Sequence, residues 1–188
     1  MVDERLTVAV PVVGRAAPPS RRRRPGLVGA TALLLLVVLA AVLAWGAEPM
    51  RIASQSMQPT LRPGEHVLVE KVTRHAREWR RGDLAVFRRP GSDELVAKRI
   101  VAVGGDLVAI EDGVLVVDGQ PVEEPYADPD AIDSVYFGPV RVPAGAVFVL
   151  GDNRGNSLDS RTFGPITLAE LRGRVVAVVW PPAHWATR

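Results

Sequence analysis

Residues 95–103 read Leu95-Val96-Ala97-Lys98-Arg99-Ile100-Val101-Ala102-Val103, seven apolar residues around two adjacent cations. Branched aliphatics dominate the run and Gly104-Gly105-Asp106 closes it, so it reads as a β-strand. Alternation along a strand sets Lys98 with Val96 and Ile100, and Arg99 with Ala97 and Val101. At least one charge must therefore share an apolar face. An amine held there loses hydration and its pKa falls. A fall from ~10.4 to ~8 corresponds to about 3 kcal/mol. The bland alternative is a lysine that snorkels to the strand edge and stays charged.

The runs on either side are of the same kind. His66–Val72, Leu84–Arg88, Leu107–Ile110, Val114–Val117, Ala146–Leu150 and Arg174–Trp180 are short, Val-rich and mostly bounded by Gly, Pro or Asp. Asp112-Gly113 and Asp118-Gly119 are hairpin signals. One helix is expected, around Thr167–Arg172, with Thr167 as cap and Glu170 three residues on. The polar, Pro-rich stretch from Pro121 to Pro143 reads as a long surface excursion. The expected class is mainly β, a domain of several short antiparallel sheets with little helix.

Gly26 to Ala47 contains no charged residue. At ~1.5 Å per residue this run spans ~33 Å, close to the ~30 Å of a bilayer's hydrocarbon. It is expected to be a transmembrane helix. Arg15 and Arg21 to Arg24 precede it, while only Arg51 and Arg62 follow as far as Glu65. That asymmetry puts the N-terminus in the cytoplasm and the rest outside. Val42-Leu43-Ala44 would pass as a signal-peptide cleavage site, but the run exceeds the usual ~7–15 apolar residues of such a signal. The expected organisation is a disordered basic tail over 1–24, an anchor over 25–47 and an extracytoplasmic domain over 48–188.

Composition removes whole classes of chemistry. There is no cysteine, hence no disulfide and no thiolate. Net charge is +2, without the basic field of a nucleic-acid binder. His66, His75 and His184 have no metal-ligand spacing. Of the 23 basic residues only Lys71 and Lys98 are lysine. Arginine does not give up its proton in a protein, whereas a desolvated lysine can. A GC-rich genome would produce the same bias.

Two further segments concentrate polar residues. Ser54-Gln55-Ser56-Met57-Gln58-Pro59-Thr60-Leu61 follows the apolar run closely; an extended linker from Ala47 to Ser56 reaches at most ~32 Å. Pro59 opposes a helix there. Gly151-Asp152-Asn153-Arg154-Gly155-Asn156-Ser157-Leu158-Asp159-Ser160-Arg161 leaves the strand ending at Leu150. It lacks the spacing of a calcium loop. Read singly, these segments also fit an ordinary Ser-rich turn and a hydrogen-bonded structural loop, and counting alone leaves a Ser–His–Asp triad open.

Taken together, Ser56-Met57-Gln58-Pro59-Thr60-Leu61 resembles the S-M-x-P-T-L box of bacterial type I signal peptidases. Lys98-Arg99-Ile100 with Gly105-Asp106 resembles their lysine box, and Gly151 through Arg161 their G-D-N-R-x-x-S-x-D-S-R box. Arg81-Gly82-Asp83-Leu84-Ala85-Val86-Phe87 is similar to the segment between the first two. All four lie in the family's order and cover roughly Ser54 to Pro181. One departure is Ala102, where the family's lysine box has its first Gly. The eukaryotic-type branch carries His in place of Lys98.

The resemblance implies a signal-peptidase-like β domain in which Ser56 is the nucleophile and Lys98 its base. It also implies an oxyanion site from the Ser56 N–H and the Ser54 hydroxyl, with Ser157 orienting the lysine. Asp152, Asn153, Asp159 and Arg161 would support the loop. No metal or cofactor is implied. Substrates would be exported preproteins cut after small residues, met by a monomer at the membrane lipid surface, with no role for nucleic acid. The rival readings are a Ser–Lys maturation or conjugation peptidase with one dedicated substrate, and a catalytically idle tethered binding domain.

Overall fold

The computed structural model describes residues 26–71, 78–127 and 136–181. The expected tail over 1–24, His75 and His184 lie outside them. Two compact units divide the chain, Met1–Val37 and Val38–Arg188.

Helix α1 runs over Gly26–Trp45 and carries no acidic residue in its first turn and no basic one in its last. Its side chains are described over residues 29–41, where Leu33 to Leu39 are each more than half exposed. Such a helix is apolar on every side. Among the described residues no helix is long and apolar enough to cross a membrane. The expected anchor reached Ala47; the helix stops at Trp45, and Ala47 already opens a strand.

That strand, β1 (Ala47–Arg51), belongs to a seven-stranded antiparallel sheet with β2 (His66–Glu70), β3 (Leu84–Arg88), β4 (Leu95–Val103), β9 (Ala146–Leu150), β10 (Ile166–Thr167) and β11 (Leu171–Trp180). Their order is β1-β2-β11-β3-β4-β9-β10. A second sheet has the order β7-β6-β5-β8, from β5 (Leu107–Glu111), β6 (Val114–Val117), β7 (Gln120–Pro121) and β8 (Tyr136–Arg141). Asp112 and Asp118 take positive φ of 51° and 54° ahead of Gly113 and Gly119, as the two hairpin turns require.

β4 is the spine of this fold. Ala97 packs with Ile52, Met57 and Val67; Ile100 with Phe87 and Val149; Val101 and Ala102 with Val108 and Phe148. One strand thus feeds three hydrophobic clusters. A register shift against β9 between Ile100 and Ala102 lets consecutive side chains all be buried, which strict alternation forbids. Each fully buried Val, Leu, Ile or Phe contributes about 1.5–3 kcal/mol.

Two expectations need correction. Thr167–Arg172 is not helical: β10 ends at Thr167 and β11 begins at Leu171. The Thr167–Glu170 pairing forms all the same. Glu170 Oε2 accepts from the Thr167 N–H at 2.8 Å and from its hydroxyl at 2.6 Å, closing a turn instead of capping a helix. Leu171 is fully buried and Gly173-Arg174 pairs with β3, so tertiary packing overrides the local signal. The excursion over 121–143 is not all irregular either, since β8 adds to β5 from within it. The short helix α2 (Ser160–Phe163) was not expected.

Candidate active site

Ser56 sits on a turn, not a strand or helix. The Gln58 N–H donates to the Gln55 carbonyl at 3.0 Å, and that of Leu61 to the Met57 carbonyl at 2.8 Å. Met57 and Leu61 are 2% and 0% exposed, so the two apolar side chains beside Ser56 pin the turn into the β1–β2 core. Lys98 comes from the middle of β4, opposite Ala85 of β3. Its Nζ donates to Ser56 Oγ at 2.6 Å, and Ser54 Oγ lies 3.0 Å from the same oxygen.

Ser56 and Lys98 are 7% and 2% exposed. Burial is the main reason the lysine pKa falls from 10.5 to about 8; Asp159, Glu94 and Asp152 oppose the fall, and Arg161 adds to it. Among the described residues no carboxylate forms an ion pair with the ammonium, so the more distant carboxylates offset only part of its lost hydration. The other cation of the strand is treated oppositely. Arg99 makes a two-bond ion pair with Asp152, Nε to Oδ1 at 2.8 Å and Nη2 to Oδ2 at 2.7 Å. It also donates to the Gly82 carbonyl at 3.0 Å and to Thr60 Oγ1 at 3.3 Å. The Arg81-Gly82-Asp83 turn thereby holds the strand next to Lys98.

The loop after β9 closes the site from the other side. The Asn153 N–H donates to the Ser56 carbonyl at 3.1 Å, so Asn153 acts through its backbone. Asp159 caps α2 and is fully buried. It takes the Gly151 N–H at 3.1 Å and the Arg161 Nε at 2.8 Å. Arg161 Nη2 reaches on to the Arg154 carbonyl at 2.8 Å. Gly151 passes so close that a Cβ there would lie 2.5 Å from the Ser56 carbonyl oxygen and 2.2 Å from Ser157 Oγ. Ser157 is therefore beside Ser56, but among the described residues its buried hydroxyl makes no hydrogen bond, to Lys98 or to another group.

His66 stands on β2 with its Nδ1 buried and unbonded; among the described residues the Ser56 hydroxyl is met by Lys98 Nζ and Ser54 Oγ, not by a histidine. Among the described residues no three His, Asp or Glu side chains are grouped to hold a metal ion. Contacts that sequence reading missed are the Gly82 carbonyl, Thr60, and the Glu124–Tyr126 segment, which lay in the presumed excursion. The hint was Tyr126, an aromatic residue set directly among acids and prolines.

A seryl hydroxyl in contact with a desolvated lysine is the equipment of a serine hydrolase. Residues 26–180 match the family described as signal peptidase, peptidase S26. Signal peptidase I of Leptolyngbya laminosa is 36% identical over 186 residues, covering 93% of this chain and 90% of that one. Probable signal peptidase I-1 of Synechocystis is 37% identical over 163 residues, covering 81% and 82%. A crystal structure of signal peptidase I from Enterococcus faecalis overlaps with a TM-score of 0.48 at 29% identity, covering 53% of this chain and 98% of that one. The chain belongs to the S26 signal peptidase family and is a serine peptidase of the signal peptidase I kind.

Proposed function

We propose that this enzyme removes signal peptides from exported preproteins with Ser56 as nucleophile and Lys98 as general base. The observation that carries this is the 2.6 Å contact between Lys98 Nζ and Ser56 Oγ, made in a buried setting. Once Lys98 is neutral, its lone pair accepts the seryl proton as Oγ bonds to the scissile carbonyl carbon. The resulting oxyanion takes the Ser56 N–H and the Ser54 hydroxyl. Collapse breaks the C–N bond, the Lys98 ammonium returns the proton to the leaving amine, and water hydrolyses the Ser56 ester. Ser157, across Gly151 from Ser56, is positioned to orient the lysine once substrate fills the site.

The peptide's path has support from the strand ladder. Residues 95–98 of β4 pair with β3 on one side only, since β9 begins its pairing at Arg99. An extended peptide laid on that free edge would present its carbonyl to Ser56. A cleft runs alongside, between Met50–Ser54 and Glu94–Ala97, with Ala53, Ser54, Met57, Val96 and Ala97 among its walls. Such walls suit small substrate side chains such as those of an Ala-x-Ala site.

In the same reading the uncharged sequence run over residues 26–47 anchors the enzyme in the membrane. At ~1.5 Å per residue such a run would extend ~33 Å, and Arg21 to Arg24 before it favour a cytoplasmic N-terminus. The catalytic domain then works on the outer face, where a signal peptide's cleavage site emerges. The test is cleavage of a preprotein by the full chain in detergent or vesicles. Ser56→Ala and Lys98→Ala are expected to abolish it with the domain still folded. Turnover retained by Lys98→Ala would overturn the mechanism. Complementation of a signal-peptidase-depleted cell separates general processing from a single dedicated substrate.

A further inference from the structure

The stretch that follows β7 leaves the small sheet and comes to rest on the active-site side of the large one. Val122 is fixed by its N–H to the Leu115 carbonyl at 2.9 Å, and the Ala127 N–H closes a turn onto the Glu124 carbonyl at 3.0 Å. Between these ties lie two side chains that the mechanism has not used. Tyr126 lays its ring on the Arg99 guanidinium, 3.8 Å from Cζ to ring centroid. Glu124 accepts the Tyr126 hydroxyl at 2.8 Å and pairs with Arg154 through the same Oε1. The Glu124 and Arg154 side chains are 10% and 9% exposed.

Of the two cations so held, one adjoins Lys98 and the other adjoins the loop that packs on Ser56. Arg99 is the neighbour of Lys98 on β4. Arg154 donates from Nε to the Gly151 carbonyl at 3.0 Å, and Gly151 is the residue packed against the Ser56 carbonyl. We propose that Glu124 and Tyr126 form a strap of positioning residues that fixes the strand carrying Lys98 relative to the loop seating Ser56. The idea rests on the Ser56–Lys98 reading. The chemistry suits the task. A ring face on a guanidinium keeps Arg99 in the plane that its two-bond pair with Asp152 requires. A nearly buried carboxylate shared by Arg154 and the tyrosyl hydroxyl ties both ends of the strap into one network.

A strap of this kind acts on geometry, so its loss should lower kcat more than it raises KM. It should also admit water to Lys98, whose amine is kept below its ordinary pKa mainly by burial. The experiment uses the full chain in detergent with a preprotein substrate, comparing wild type, Ser56→Ala, Tyr126→Ala, Tyr126→Phe, Glu124→Ala and Glu124→Gln. Tyr126→Ala and Glu124→Ala are expected to lose about tenfold or more in kcat with KM within about threefold. Their pH–rate midpoint should move upward. Tyr126→Phe keeps the ring on Arg99 but loses the hydroxyl tie to Glu124, and should lose less in kcat than Tyr126→Ala, with its midpoint moved the same way.

The strap is overturned if the folded alanine variants keep the wild-type kcat and pH midpoint. It is equally overturned if activity falls only with the folded fraction while the midpoint stays put. Should both alanine variants fail to fold, Glu124→Gln decides. An unchanged kcat and midpoint in Glu124→Gln would then refute the idea, and a lower kcat with a raised midpoint would support it. Activity surviving in Ser56→Ala would instead sink the underlying mechanism, a result distinct from any of these.

Discussion

Asp152 offers both carboxylate oxygens to Arg99, at 2.8 and 2.7 Å, from a site that water does not reach. The pair explains how β4 can carry two cations through the middle of a core. One is neutralised by a partner; the other has no ion-pair partner among the described residues, and burial drives it toward its neutral form. Removing the partner leaves a buried charge, which costs about 3–5 kcal/mol. Asp152→Ala is therefore expected to lose about that much stability in a denaturant titration. Asp152→Asn should lose less, because its amide oxygen still accepts from Arg99.

Lys98 predicts two pH dependences. With its pKa lowered to about 8, the rate should climb with pH through that value. A midpoint near 6.5 would implicate a histidine instead. The stability effect follows from the same shift. Below pH 8 the amine is charged in both folded and unfolded chains, and the desolvation cost is fully present. Between about 8 and 10.5 the unfolded chain binds more protons, so stability rises with pH. Lys98→Met should accordingly be inactive yet up to about 3 kcal/mol more stable at pH 7, with the gain gone by pH 10.5.

Gly151 and Gly173 are both closed to a side chain, but for different ends. A Cβ at 151 would press on the Ser56 carbonyl, and one at 173 would lie 2.4 Å from the Glu70 carbonyl, in the β2–β11 ladder. Neither backbone oxygen can swing aside. Gly151→Ala should displace Ser56 from Lys98 and cut kcat on the order of 100-fold, the cost of a misplacement of about 1 Å. Gly173→Ala should lower the melting temperature while leaving kcat per folded molecule near wild type. Equal kcat losses in the two variants would mean that Gly151 has no special relation to the nucleophile.

Much of this was legible in the chain because the informative signals were local. Leu84–Arg88, Leu95–Val103, Val114–Val117 and Ala146–Leu150 form strands at the bounds that their apolar runs mark. The low pKa of Lys98 follows from an amine set among apolar residues on a buried strand. What failed was long-range. Thr167 and Glu170 make the contact that their spacing suggests, yet Leu171 and the ladder to β3 decide the element. β8 carries Gly138-Pro139 and reads as loop; it becomes a strand only because β5 offers an edge. Tyr126 meets Arg99 across 27 residues of sequence, and no periodicity records such a contact.

Ser54 offers the sharpest test of how the oxyanion is held. Its hydroxyl is 3.0 Å from Ser56 Oγ, near enough to turn toward an oxygen developing on the carbon that Ser56 would attack in the proposed mechanism. A donor realised only in the transition state lowers kcat when removed and leaves KM alone. Ser54→Ala is therefore expected to lose about 100- to 1000-fold in kcat, the usual effect of deleting one such donor. Ser54→Thr, which keeps a hydroxyl, should recover part of the rate. If Ser54→Ala instead raised KM at constant kcat, the hydroxyl would be binding the peptide in its ground state. The second donor would then have to be another N–H near Ser56.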